Sequence, residues 1–102
     1  MNLTIKDRII MVDLLPEQGG MIDMILVKSI SDKVALTAKE ITDFSVVQEG
    51  NSVRWDQSRD TGVEIGFEMS EIELLKRRVQ ELNASKSITM RTFDLCLKIK
   101  EL

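Results

Sequence analysis

Residues 44–69, FSVVQEGNSVRWDQSRDTGVEIGFEM, carry the clearest strand signals in the chain. Residues that favour strands flank Gly50-Asn51, and glycine followed by asparagine suits a two-residue hairpin turn. Such a turn places Glu49 opposite Ser52 and thereby fixes the register of the two strands. One face of the predicted hairpin is apolar, and it carries Phe44, Val46, Val53 and Trp55.

A third strand is predicted after the polar link at residues 57–61. Apolar side chains alternate with other residues along it, as expected for a strand with one buried face. The apolar positions are Val63, Ile65, Phe67 and Met69. The sequence therefore predicts a three-stranded antiparallel meander with one apolar face.

Three helices are predicted before the meander. Thr4 can cap the first, which Pro16 ends. Its apolar positions at helical spacing are Ile5, Ile9, Val12 and Leu15, with Ile10, Met11 and Leu14 widening the stripe. A second helix is expected at about residues 21–31, and a third after Thr37, because Thr37 and Glu40 stand at capping-box spacing.

The second helix is apolar nearly all round, so it must be covered on more than one side. Because the first helix competes for the same core, part of this methionine-rich surface is a candidate interface between subunits. The interface candidates are Met21, Met24, Ile25 and Val27. The alternative is full burial within one monomer.

Two helices are predicted after the meander. Ser70 and Glu73 suit a capping box for a helix at about residues 71–83. The last segment, at about residues 89–101, fits either a helix capped by Thr89 or a terminal strand, and we favour the helix. Its expected buried face contains Phe93, Cys96, Leu97 and Ile99. Residues 1–102 are thus predicted to form a single α+β domain with helices packed on one face of the meander.

Composition restricts the classes of partner. The 102 residues include 14 basic and 17 acidic side chains, with a net charge of -3 and the two signs interspersed. Nucleic acid is therefore not the expected partner, since its phosphates require clustered Lys and Arg. The lone Cys96 suggests a reducing compartment, and no apolar run reaches the roughly 18 residues that a membrane span requires. We therefore expect a cytoplasmic protein without membrane contact.

The sequence offers little for catalysis. Histidine and tyrosine are absent, and Cys96 has no histidine to activate it. Residues 56–62 partly resemble the calcium-binding loop of an EF-hand. However, the glycine stands one place too late, and Phe67 occupies the position of the bidentate glutamate. We therefore predict a non-enzymatic protein without metal or cofactor.

Two groups of basic residues are candidates for binding a ligand. Arg54 and Arg59 lie near the only tryptophan, and arginine and tryptophan are enriched in binding hot spots. Lys76, Arg77 and Arg78 form a short basic run in a predicted helix. Both groups also have a structural interpretation, since Arg54 could pair across the sheet with Glu64 or Glu68 and the run suits the helix dipole.

The opening of the chain resembles small uncharacterised proteins encoded by bacteriophages and prophages. The similarity lies in the first amphipathic helix and in the turn Leu15-Pro16-Glu17-Gln18-Gly19 that ends it. It extends loosely to residues 40–55 and to the helix start at residues 88–89. The resemblance implies a viral or mobile-element origin and action inside an infected bacterium, and it transfers no active-site residue.

Together these observations favour a binding protein that sequesters or blocks a host component. Candidate targets are a host defence protein or its nucleotide signal. For a nucleotide, the arginines at 54 and 59 or the basic run should contact the phosphates. A homo-oligomer is expected, in the cytoplasm of the infected host.

The alternative hypothesis is a winged-helix-like regulator that binds DNA. Three helices followed by a hairpin are in the right order for that fold. However, the helix expected to read DNA is short and offers only Lys39 against Glu40 and Asp43.

Overall fold

A computed structural model describes all 102 residues and has the predicted α+β class. Three helices precede the β-hairpin and two follow it, so the five-helix prediction is confirmed. In chain order the elements are β1 Asn2–Leu3, α1 Ile5–Leu14, α2 Met21–Val34, α3 Ala38–Asp43, β2 Val47–Glu49, β3 Ser52–Arg54, a 3-10 turn at Gln57–Arg59, β4 Val63–Glu64, α4 Met69–Ala84 and α5 Met90–Lys100.

Four helices form a ring around the core. Helix α1 packs against α2 and α5, and α4 packs against the same two helices from the other side. Neighbours run antiparallel, as shown by Asp7 and Asp13 of α1, which contact Lys98 and Arg91 of α5 respectively. The buried core consists of Leu3, Ile10, Met11, Leu14, Leu15, Ile30, Val34, Leu74, Leu75, Val79, Leu95, Cys96 and Ile99.

Helix α1 begins where the sequence predicts, but its buried face is rotated. The hydroxyl of Thr4 accepts a hydrogen bond from Asp7 N–H, and the Asp7 carboxylate accepts one from Thr4 N–H. Ile10 and Met11 are buried, whereas Val12 is half exposed. The buried face of α1 is rotated from the predicted one because it faces two neighbouring helices, α2 and α5.

The hairpin formed by β2 and β3 has the predicted register. Glu49 lies opposite Ser52, and Val47 lies opposite Arg54. Gly50 has a φ of +59°, whereas Asn51 has no positive φ. This combination fits a type II′ turn, in which the first central residue needs the conformational freedom of glycine.

The partner predicted for the third strand of the meander is wrong. β4 pairs with β1 and not with the hairpin, so the protein has two separate two-stranded antiparallel sheets. The 3-10 turn between them redirects the chain, and the Asp56 side chain stabilises that turn by accepting from Ser58 N–H. Residues after the turn then reach β1, whose Leu3 is fully buried beneath them.

The prediction that helices pack on a sheet face is also corrected, because the core lies between the helices. No residue from Phe44 to Thr61 is buried, and the predicted inward face of the hairpin, including Trp55, is only half-buried. Strands of three residues offer too little apolar area to organise a core. We call residues 44–61 the arm.

Of the caps predicted for the last two helices, the first is wrong in its residues and the second is confirmed. Helix α4 is capped by Glu68 and Glu71, two residues before the predicted pair Ser70 and Glu73. The Glu71 side chain accepts a hydrogen bond from Glu68 N–H at 2.7 Å. The final segment is a helix capped by Thr89, as predicted, and not a strand.

Two ion pairs, each with one buried member, connect the elements. Arg8 of α1 binds Glu40 of α3 and donates to the carbonyl oxygens of Val34 and Ala35 at 2.9 and 2.7 Å. The hydrogen bond from Arg8 lowers the pKa of Glu40 to about 2. This contact joins the end of α2 to α3, so α3 is held although it buries no residue of its own.

The second ion pair lies between α2 and α4. Burial raises the pKa of Glu71, but hydrogen bonds from Lys33, Glu68 N–H and Ser29 outweigh that effect, so the pKa lies below its usual range. Lys33 Nζ is 2.5 Å from the carboxylate and 5.8 Å from the ring centroid of Phe67. Helix α2 is therefore fixed along its second half.

Candidate binding surfaces

The first half of α2 carries an exposed apolar surface. Met21, Ile22 and Ile25 are 79%, 75% and 61% exposed, and we call these three residues the α2 patch. Their helical spacing places them together on one side, because residues three and four apart are neighbours on a helix surface. The opposite side of α2 faces the core through Ile30 and Val34.

The four predicted interface residues separate into two pairs. Met21 and Ile25 belong to the α2 patch, whereas Met24 and Val27 are half-buried, and Val27 packs against the core. Ile22 was missed as an interface residue, although it stands three residues before Ile25. An all-apolar helix gives no sequence signal for which side faces the core, so the split required the packing of α1 and α4.

Charged pairs bound the α2 patch. Further along the exposed side, Lys28 and Asp32 form an ion pair at 3.2 Å. On the flank toward α4, Asp23 accepts from Arg77 at 3.0 Å. An apolar centre with a polar rim is the usual anatomy of a protein interface.

The predicted ligand arginines of the arm are both engaged within the chain. Arg54 donates to the carboxylate of Glu49, diagonally across the hairpin, at 3.2 Å, and it makes no hydrogen bond to Glu64 or Glu68. Arg59 donates to the carbonyl oxygen of Asp43 at 3.0 Å. These contacts fit the structural interpretation of the arginines.

The basic run of α4 is spread over different sides of the helix. Lys76 points toward α5 and donates to the carbonyl oxygen of Leu102. Arg77 binds Asp23, and Arg78 donates to the carbonyl oxygen of Leu14 at 2.8 Å. The structure thus brings together no cluster of these three cations with the two arginines of the arm.

Helices α4 and α5 enclose an open groove with a volume of about 430 Å³. Its floor is apolar, and its rim carries two ammonium groups and two amides but no carboxylate. We call it the α4–α5 groove, and it is lined by Lys76, Val79, Gln80, Asn83, Ile88, Phe93, Cys96, Leu97 and Lys100.

Two predicted core residues of the last helix, Phe93 and Leu97, form part of the groove wall and are 42% and 40% exposed. Leu95 replaces them in the core. The groove was not predicted, although Phe93 and Leu97 stand four residues apart, as one side of a helix requires. Sequence alone could not show that this side faces α4 only in part.

Cys96 lies at the floor of the groove and is 4% exposed. Burial raises the pKa of its thiol. The protonated thiol is a poor nucleophile, so Cys96 serves as a small apolar side chain at neutral pH.

Trp55 connects the arm to α1. Its Nε1–H donates to the Asp60 carboxylate at 3.2 Å, and the same carboxylate accepts from the N–H of Ile5 at 2.9 and 3.1 Å. Asp60 therefore adds negative charge at the beginning of α1, where the helix dipole favours it. This arrangement gives the tryptophan a structural role.

The structure contains no group of three or more His, Cys, Asp or Glu side chains placed to hold a metal ion. None of its helices combines the length and the apolar character needed to cross a membrane. Comparisons of the chain with protein-family models, curated proteins and solved structures find no match. Functional inference therefore rests on the surfaces described above.

Proposed function

We propose that this chain is a non-enzymatic binding protein that blocks a partner protein by covering part of its surface with the α2 patch. The observation that carries the proposal is the exposure of Met21, Ile22 and Ile25 on a helix whose second half is anchored in the core through Ile30 and Val34. Three large apolar side chains in water cost free energy that burial against a partner would recover, at about 25 cal/mol per Å².

The rigidity of α2 supports this proposal. Lys33 and Ser29 bind the buried Glu71, and Ile30 and Val34 are fully buried. The patch in the first half of α2 is therefore carried on a helix whose second half is anchored, which reduces the entropy lost on binding.

A protein target fits the geometry better than a nucleotide signal. Sequestering a nucleotide requires several cations that converge on its phosphates. The candidates Arg54, Arg77 and Arg78 each have a carboxylate of this chain within 4 Å. The resemblance to phage-encoded proteins suggests that the partner is a host protein, with a defence protein as one candidate.

The winged-helix alternative receives less support. Helix α3 has only six residues, and its one free cation, Lys39, stands beside Glu40 and Asp43. A DNA-reading helix needs basic side chains that reach the phosphates.

A single charge introduced into the α2 patch tests whether the patch binds a partner. Glu in place of Ile22 lies in the first turn of α2, where negative charge favours the helix, so the fold should be retained. We expect proteins captured from a bacterial lysate by the wild-type chain, then purified, to bind Ile22→Glu at least about tenfold more weakly in calorimetric titration.

Met69→Glu is the matched control. Met69 is 70% exposed and is the first residue of α4, so the same acidic side chain enters a first turn outside the α2 patch. Equal binding of every captured protein by wild type and Ile22→Glu would refute the proposal, as would the capture of none.

The same two variants test the expected homo-oligomer. If two copies meet through the α2 patch, light scattering should give a mass above the 11.6 kDa of one chain for wild type and for Met69→Glu. Ile22→Glu should reduce the mass to that of one chain. A mass that does not respond to Ile22→Glu would place self-association elsewhere.

A further inference from the structure

We propose that the free edge of β3 is a second docking site and that it receives an extended segment of a partner protein as an added β-strand. The inference rests on three observations. Backbone groups along this edge have no partner, no side chain of β3 covers them, and the edge borders a cleft with apolar walls.

The outer backbone groups of β3 are unpaired. β3 pairs only with β2, so one of its two edges is open. Glu49 and Ser52 close the two-residue turn as a hydrogen-bonded pair. In the next pair, Gln48 and Val53, the backbone groups therefore point away from the hairpin. The backbone N–H and carbonyl oxygen of Trp55 also form no hydrogen bond within the chain. The edge of β3 thus offers the donors and acceptors that an added strand requires.

The side chains of β3 leave its outer edge open. In native proteins a free edge is usually blocked by proline, by lysine or by a bulge. β3 contains neither proline nor lysine, and its one charged residue, Arg54, donates to Glu49 of β2 at 3.2 Å. The guanidinium is therefore held toward the hairpin and away from the outer edge. An open edge of this kind is a template for pairing with another strand.

The open edge borders a cleft of about 590 Å³ between the arm and α1, which we call the arm cleft. All the arm residues that line it lie between Asn51 and Gln57, and none belongs to β2. The arm cleft therefore follows the β3 side of the hairpin. Its volume lies in the range of sites that bind small ligands, so a short peptide segment can enter it.

The walls of the arm cleft indicate which side chains the added strand carries. Val53 and Trp55 form the wall on the arm, and Ile9 and Ile10 form the wall on α1. Successive side chains of a strand point to opposite sides. One set would pack against these apolar walls while the other faces water. The partner segment therefore alternates apolar and polar residues, as in other segments that bind by strand addition.

The arm cleft favours one added strand over a second copy of the hairpin. Neighbouring strands lie about 4.8 Å apart, so a single strand fits directly beside β3. A second hairpin would bring two strands into the same space, which α1 bounds on its other side. The occupant is therefore a single extended segment.

A synthetic seven-residue peptide, in which valine alternates with threonine between terminal lysines, tests the site. Trp55 is the only tryptophan, so its fluorescence reports binding in the arm cleft. We expect a saturable change on titration, because main-chain hydrogen bonds provide the affinity in strand addition. Methyl groups on the amide nitrogens of one peptide edge should weaken binding at least about tenfold. Methyl groups on the other edge should change it by less than about twofold, because those N–H groups face away from β3.

Amide hydrogen exchange locates the peptide without any substitution. The N–H groups of Val53 and Trp55 should exchange more slowly when the peptide is bound. The N–H of Gln48 lies on the opposite edge of the hairpin, and its exchange should not change.

Val53→Pro and Gln48→Pro are matched variants. The two residues lie opposite each other, and each proline removes one outward N–H without removing a hydrogen bond between the strands. Val53→Pro should weaken peptide binding at least about tenfold, whereas Gln48→Pro should not. Circular dichroism of both variants verifies that the fold is retained.

This site is independent of the proposed function, because no residue of α2 lines the arm cleft. Ile22→Glu should therefore bind the peptide as wild type does. A failure of the α2 patch would leave this result unchanged, so the two failures can be distinguished.

Three results would overturn the proposal: no binding of the unmethylated peptide, equal weakening by methylation of either edge, or equal protection of the Gln48 and Val53 amides. The occupant could also prove to be a second copy of the chain. Light scattering would then give the mass of two chains, Val53→Pro would reduce it to that of one, and the peptide would not bind.

Discussion

The helical ring and the arm are held together in different ways. In the ring, side chains from four helices meet in one core, and ion pairs that each have one buried member join neighbouring elements. The arm contains no buried residue and is attached through a few polar contacts, chiefly those of Asp60 and Arg59. The folding free energy should therefore reside mainly in the ring, although the arm has the stronger sequence signals.

This contrast shows that a clear local pattern does not imply a central place in the fold. The hairpin turn at Gly50 needs only its own backbone and two short strands. A core needs apolar area from several elements at once, and only the helices supply it. Three predictions test the contrast. The first two compare a substitution in the ring with one in the arm, and the third concerns the contact between Arg8 of the ring and Glu40 of α3.

The largest difference is expected for arginine. Arg8→Ala should lower the free energy of unfolding by about 3–5 kcal/mol, because it leaves Glu40 and two carbonyl oxygens without their partner. Arg54→Ala removes an exposed pair with Glu49 and should change it by less than about 1 kcal/mol. Urea denaturation measures both, and equal losses would show that the arm is as important as the ring.

Loss of an apolar side chain should give the next largest difference. Leu75 is fully buried, so Leu75→Ala should cost about 3 kcal/mol through lost burial and the cavity left behind. Val53 is only half-buried in the arm, and Val53→Ala should cost less than about 1 kcal/mol. Thermal or urea unfolding gives both values. A larger loss at Val53 than at Leu75 would contradict our description of the core.

The smallest of the three expected effects is the loss of folding stability at low pH. The pKa of Glu40 in the folded protein, about 2, lies below the unfolded value of about 4.3, so the folded state binds fewer protons there. The stabilisation is complete above about pH 5 and is lost as the pH falls toward 2. Between pH 6 and pH 2.5 the loss from this group is about 2 kcal/mol.

Glu40→Gln isolates that group from other carboxylates, including Glu71, whose pKa is also lowered. The variant should be less stable than wild type at pH 6, and the difference between the two should shrink by about 2 kcal/mol at pH 2.5. Urea denaturation at the two pH values gives the difference. A constant difference would mean that the Arg8–Glu40 contact does not set the acid response of the ring.

Features that depend on residues close together in the chain were predicted correctly more often than features that depend on distant contacts. Thr4, Thr37 and Thr89 each cap the helix predicted for them, because a cap needs only residues three positions apart. At α4 two capping pairs were possible, and the sequence offered no means of choosing Glu68 over Ser70. The buried contacts of Glu71 with α2 favour the observed pair.

Surfaces were harder to predict than elements. The residues of the α2 patch were recognised in part, since Met21 and Ile25 were candidates and Ile22 was not. The basic candidates were chosen by proximity along the chain, but neighbouring positions on a helix point in different directions. Lys76 therefore lies in the α4–α5 groove with Lys100, apart from Arg77 and Arg78.

By itself, the sequence determined the α+β class, the five helices, three of their caps and the hairpin register. Each depends on contacts within a few residues, or on the period of apolar side chains. Only the tertiary structure decided the partner of β4, the side of α2 that remains exposed and the presence of Lys76 and Lys100 in one groove. These depend on which helix faces meet, because the apolar surface of any one element is compatible with several neighbours.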